Sequence, residues 1–259
     1  MPPKLVQLNY IREIVKLMLS FMYRLASVKR IAFPVLLADY VDIYRKTSFF
    51  NLTDEAETQR LKPAWIDCSA KLENVFARHL SRGAPSADLE EAGIQVLWPS
   101  LVERIDRGLP LVEYRREASF GCFYYHVTDG VLDLHFTNAV MPDAPFKSLA
   151  GRARELYELV RHCGKHHPEA THIKSGTWLN DYPPFRSLFP PNWRDIGEPK
   201  SYNSLGWWGQ FVNHKGDIHE PHAEQFRAKG TFPHPCTFHQ CERATLEAFL
   251  ERLVTDSVA

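Results

Sequence analysis

Phe120-Gly121-Cys122-Phe123-Tyr124-Tyr125-His126-Val127-Thr128-Asp129-Gly130-Val131-Leu132-Asp133-Leu134-His135-Phe136-Thr137-Asn138 reads as a β-hairpin with two unlike faces. A two-residue Asp129-Gly130 turn sets the register, opposing Thr128 to Val131, His126 to Asp133, Tyr124 to His135 and Phe123 to Phe136. One face is then apolar: Phe123, Tyr125, Val127, Leu132, Leu134 and Phe136. The other carries Cys122, Tyr124, His126, Asp133, His135 and Thr137. An imidazole stands beside a carboxylate there, and a second imidazole beside a phenol. Such groups pass protons near neutral pH, which makes His126, Asp133, His135 and Tyr124 the candidate catalytic set. Strand alternation alone also puts polar residues on the wet face of a half-buried sheet, so the face has a purely structural reading as well.

Downstream, Pro142-Asp143-Ala144-Pro145 makes a loop, and residues 148–163 carry Leu149, Ala153, Leu156, Tyr157 and Val160 at helical spacing. Residues 170–179 read as a strand, 182–189 as a short helix between prolines, and 204–212 as another strand. Helices over 223–229 and 242–254 follow. The order β-β-α-β-α-β-α, an optional strand and a final α predicts an α/β (α+β) layer whose helices cover the apolar hairpin face. Upstream, the pattern is helical. Residues 10–28 place Ile11, Ile14, Val15, Met18, Phe21, Met22 and Leu25 on one stripe, residues 64–80 begin behind Pro63, and Asp88 with Glu91 caps a helix running to Trp98. The composition changes near residue 118, which predicts a helical region over 1–117 and an α/β domain over 118–259.

Lys+Arg and Asp+Glu both number 31, so the zero formal charge argues against a general nucleic-acid binder. Five cysteines, odd in number and scattered, are the reduced thiols expected of a cytoplasmic protein. Charges at Arg12, Glu13, Lys16, Arg24, Lys29, Arg30 and Asp39 leave no apolar run near the ~18 residues of a membrane span. The basic helix over residues 10–28 is left to pack against the rest of the fold or to lie on a membrane or partner surface.

Two further groups are candidates for binding. The helix start at Ser148 offers unpaired backbone N–H groups and the positive dipole end to an anion, with Lys147 adding charge and Gly151 in the first turn. The run Ser175-Gly176-Thr177-Trp178-Leu179-Asn180-Asp181-Tyr182 ends a strand with small, hydroxylic and amide side chains suited to a pocket lip. Ser175, Trp178, Asn180 and Tyr182 are therefore candidate lining residues, with Asn138 at the hairpin exit. On the expected strand over 204–212, adjacent indoles face opposite ways, and Trp208 walls the same pocket.

The hairpin, the Ser148-Leu149-Ala150-Gly151-Arg152-Ala153 helix start, the strand ending at Trp178 and the helix after Asn180 resemble the core of the GNAT acyltransferase superfamily. The resemblance covers roughly residues 118–212. That family's Gln/Arg-x-x-Gly-x-Gly/Ala loop binds an acyl-CoA pyrophosphate, and the thioester lies between two splayed parallel strands. Gly151 and Ala153 match the motif; Ser148 stands where Gln or Arg is expected, and Lys147 is displaced by one position. After the second splayed strand the family shows an Asn and then an aromatic residue in the next helix, to which Asn180 with Tyr182 or Phe189 corresponds here. The resemblance implies an acyl or other small-group transferase with a CoA- or carrier-protein-linked donor and an amine or hydroxyl acceptor.

A rival reading is a zinc or iron enzyme built on His219, His222, Cys236, His239 and Cys241, which crowd together near the C-terminus. No Cys-x-x-Cys exists, and Pro221 interrupts the His219–His222 pair, so the expectation is that no metal binds. A non-catalytic ligand-binding or interaction module is the third class.

Overall fold

A computed structural model describes residues 4–109, 117–199, 202 and 205–256. In chain order these form α1 (Lys4–Lys29), α2 (Phe33–Val35), a π-helical turn (Leu36–Tyr40), α3 (Glu55–Arg82) and α4 (Ser86–Asp106). Strands β1 (Ala118–Phe120), β2 (Phe123–Thr128) and β3 (Val131–Phe136) follow, then α5 (Leu149–His166), β4 (His172–Thr177), α6 (Pro183–Arg186) and β5 (Arg194–Gly197). The chain ends with α7 (Leu205–Trp208), α8 (Glu220–Lys229), β6 (Thr237–Glu242) and α9 (Arg243–Asp256). The class is α+β with one mixed sheet, as the element order predicted.

The chain divides into two compact units, Met1–Glu113 with Ser201–Pro233, and Tyr114–Lys200 with His234–Ala259. The sequence reading put one boundary near residue 118; in the structure 201–233 groups with the N-terminal helices.

In the helical unit the apolar stripe of α1 is buried, from Ile11 to Leu25, chiefly against α4. That stripe is therefore occupied by the protein's own core. Among the described residues no helix is long and apolar enough to cross one. Helix α3 begins earlier than expected, because Asp54 caps it by accepting from Glu57 N–H at 2.9 Å. Pro63 consequently lies inside α3. Asp88 does not cap α4, which starts at Ser86 behind Pro85.

The expected strand over 204–212 is helical in the structure: α7 leads into a 3-10 turn at Gly209–Phe211. Ser204, its first residue, lies outside the described residues. Trp207 and Trp208 do not face opposite ways across a sheet, since both are buried. Trp208 packs with Phe21, Phe211, Phe226 and Phe232, so an aromatic cluster of the helical unit claims the indole.

The sheet unit has strand order β1-β2-β3-β4-β6-β5. All neighbours are antiparallel except β3 and β4, which α5 connects as a parallel pair. The β2–β3 register is the one the Asp-Gly turn predicts, from Thr128↔Val131 to Phe123↔Phe136. Asp129 and Gly130 both take positive φ, 51° and 72°, as a type I′ turn requires. On one face Tyr125, Leu132, Leu134, Ile173 and Cys241 join Leu156, Leu159 and Val160 of α5 and Leu246 and Leu250 of α9 in a continuous core. Two strands were not foreseen. β1 forms a second tight hairpin with β2 through Gly121, and β5 is a wholly exposed edge strand. Cys122 thereby falls in a turn and is buried in the core, where it accepts from Arg152 Nη1 at 3.2 Å.

Candidate functional site

Strand registers align one polar row across five strands: His126 on β2, Asp133 on β3, Lys174 on β4, Gln240 on β6 and Arg194 on β5. These residues occupy the face away from α5 and α9, because each alternates with a core residue such as Tyr125, Leu132 or Ile173. Asp133 receives Lys174 Nζ at 3.0 Å and faces His126 Nε2 at 3.6 Å. The His126 Nδ1 atom lies 2.9 Å from Nε2 of His135. The Tyr124 ring stacks on His135, with centroids 4.9 Å apart. All four residues of the candidate catalytic set are thus brought together.

The side chains of His126 and Asp133 are only 21% and 17% exposed, shielded enough for their charges to interact above their strength in water. The arrangement has a direction. Asp133 favours the proton on His126 Nε2, which leaves His126 Nδ1 to accept from Nε2–H of His135. In that tautomer His135 is the donor of the pair, through Nε2. Lys174 is the member that sequence reasoning missed. Its parity opposite Ile173 was readable, but its place beside Asp133 depends on the parallel β3–β4 register.

That register has a second consequence. Strands β3 and β4 pair only over Val131↔His172, Leu132↔Ile173 and Asp133↔Lys174. Beyond those residues both strands continue, to Phe136 and Thr177, without pairing to each other. The parallel ladder joins the pair over its N-terminal half only. The Ser175 hydroxyl donates to the Leu134 carbonyl at 2.9 Å, satisfying an acceptor that the ladder leaves out.

Ser175 and Asn180 are therefore fold-holding groups in this geometry, and their polar atoms are engaged inside the protein. Asn180 Nδ2 donates to the carbonyls of Ser175 and Thr237, and its Oδ1 accepts from Trp193 Nε1 at 3.1 Å. Trp178 and Tyr182 stand together, half-buried, with centroids 6.2 Å apart; His234 lies against Trp178 and pairs with Asp181 at 3.0 Å. Asn138 caps its own loop by accepting from Val140 N–H and donating to the Asp143 carbonyl. Trp208 belongs to the helical unit, as described above.

At the start of α5, Ser148 caps the helix through Gly151 N–H at 3.2 Å, which takes one of the free donors. Lys147, Ser148, Leu149 and Ala150 are exposed around the rest. Lys147 lies 4.0 Å from Asp143.

The C-terminal His/Cys candidates fall in both units. His219 and His222 lie at the start of α8 in the helical unit, whereas Cys236, His239 and Cys241 are buried in or beside β6. Burial pushes the Cys236 and Cys241 thiols up to about 12. Among the described residues no group of three or more His, Cys, Asp or Glu is arranged to hold a metal ion. Comparison with protein-family models, with curated proteins and with solved structures finds no match to the chain.

Proposed function

We propose that the sheet unit is a GNAT-like acyl or small-group transferase of the cytoplasm, taking a CoA- or carrier-protein-linked donor and an amine or hydroxyl acceptor. The observation that carries this reading is the half-paired β3–β4 couple, whose ladder ends at the Asp133–Lys174 row. His135 stands on β3 beyond the end of its ladder with β4, two residues past Asp133. The proton-accepting pair therefore borders the gap into which a thioester would enter.

In this mechanism the acceptor loses its proton to His135, and the positive charge that develops is shared with His126 and stabilised by Asp133. Backbone amides along the gap orient the thioester carbonyl. The exposed start of α5, with Lys147 beside it, meets the donor's phosphates. The five cysteines, all free, accord with a reducing compartment.

Thermal-shift titration with acetyl-CoA and CoA tests the reading. Both should raise the Tm progressively with concentration, and Lys147→Ala should weaken the response. No shift at about 1 mM of either compound removes a CoA-linked donor, since ligand well above its Kd must stabilise the state it binds.

A further inference from the structure

The helical unit contains a cavity of about 260 Å³ between α1, the residues that lead into α4 and the C-terminal end of α8. Phe21, Val28, Pro85 and Phe226 give it apolar walls, and Arg24 and Arg227 give it two guanidiniums. Among the described residues no carboxylate lines it. The Tyr23 hydroxyl donates to the Ala84 carbonyl at 2.6 Å and ties one wall to the other.

The two cations differ in how they are balanced. Arg227 bonds Glu90 at 3.2 Å and reaches Glu13 at 3.5 Å. Those carboxylates belong to a closed set, in which Glu13 also pairs with Arg12 and Lys16, and Lys16 with Glu91. Glu13, Glu90 and Glu91 thus match Arg12, Lys16 and Arg227 one for one. Arg24 stands outside that set: among the described residues it has neither an ion pair nor a hydrogen bond, and it is exposed. It is nevertheless positioned. A Cβ built on Gly230 would fall on Nη1, Cζ and Nε of Arg24, so the guanidinium lies face-on against that glycine. Gly230 caps α8 at a φ of 65°, where a residue without a side chain is favoured, and the same lack of a side chain admits Arg24. A planar fork held beside an apolar cavity, open to solvent and without a counter-charge, suits a carboxylate.

We propose that this cavity binds a small monocarboxylic acid as its anion. Arg24 donates to both carboxylate oxygens, and the hydrocarbon body lies on Phe21, Phe226 and Val28. Charge decides between anions. The cavity has one unbalanced positive charge, which a carboxylate neutralises, whereas a phosphate monoester brings close to two negative charges at neutral pH. The proposal does not rest on the transferase reading, which concerns the other unit.

Calorimetric titration of the full chain at pH 7 with phenylacetate, hydrocinnamate and hexanoate, each beside its neutral amide, decides it. At least one acid should bind at least tenfold more tightly than its amide, and Arg24→Gln should weaken that acid by a similar factor. Val28→Glu, one helical turn along α1 from Arg24, supplies the missing counter-charge from the protein itself and should weaken the same acid severalfold. Val28 is 72% exposed, so this change leaves the core untouched. Equal binding of acid and amide overturns the proposal. So does absence of heat with every acid up to about 10 mM, binding that is indifferent to either variant, or phenyl phosphate binding more tightly than phenylacetate.

Discussion

Asp133 faces the Lys174 ammonium at 3.0 Å and the His126 imidazole at 3.6 Å. Asp133→Asn keeps the size of the side chain and removes the charge that would stabilise a protonated His126. Stability should fall by about 1 kcal/mol, the scale of a partly exposed ion pair, while transferase turnover falls tenfold or more. Equal turnover in the variant would reduce the row to a structural feature. His239 carries a second residue-level expectation. It is buried, with Nδ1 enclosed and unbonded, and burial, against the pull of Asp195, holds its pKa below the ordinary value. The unfolded chain takes up a proton near pH 6.5 that the folded chain resists, so stability must drop as pH falls below that point. Urea unfolding at pH 7.5 and 5.5 should show this loss, and His239→Gln should shrink it. His162 is lowered in the same direction but is present in both proteins, so the difference between them isolates His239. The His126–Asp133 contact was legible because an Asp-Gly turn fixes cross-strand neighbours. The inward turn of Ser175 and Asn180 was not, since a hydroxyl and an amide at a strand end look alike whether they meet a ligand or a backbone carbonyl.

The two hairpins illustrate what a local pattern does and does not specify. Asp129-Gly130 announces its turn, whereas Gly121-Cys122 depends on a tertiary contact. Glu155 of α5 accepts from Cys122 N–H at 2.9 Å and bonds Arg152 at 2.6 Å, so a side chain thirty-odd residues away helps close the β1–β2 turn. Gly121 has φ of 55°, and a Cβ built there would run into the Glu155 carboxylate. Gly121→Ala should therefore cost more than the ~1–2 kcal/mol of left-handed strain alone, measured by urea unfolding. Adding Glu155→Ala should remove the steric part of the cost, leaving the strain. A fully tolerated Gly121→Ala would mean that the β1–β2 turn is not held in this form. Similar reasoning explains the misread segment over 204–212. Trp207 and Trp208 fit a strand by propensity, but Phe21, Phe226 and Phe232 gather Trp208 into a helical turn, and packing overrides propensity.

At the scale of the whole chain, the sheet is not completed in one pass. After β5 the chain contributes 201–233 to the helical unit and only then supplies β6, which pairs with β4 on one side and β5 on the other. Local periodicity marks neither that excursion nor the insertion of a late strand between earlier ones, which is why the sequence reading ran its second domain unbroken to residue 259. The topology makes a sharp prediction. A chain ending at Pro233 contains every segment of the helical unit but lacks β6 and α9. It leaves β5 without its pairing strand, and strips Cys241, Leu246 and Leu250 from the core that Leu132, Leu156 and Ile173 share. Losing three buried side chains at roughly 1.5–3 kcal/mol each, before any lost hydrogen bond, equals much of the ~5–15 kcal/mol by which such domains are stable. Hydrogen exchange on this truncated chain should therefore retain protection in α1 and α4 and lose it in β2, β3 and β4. Protection retained in those strands would mean that β1 to β4 fold without β6, and that β6 is an addition to the sheet and not part of its foundation.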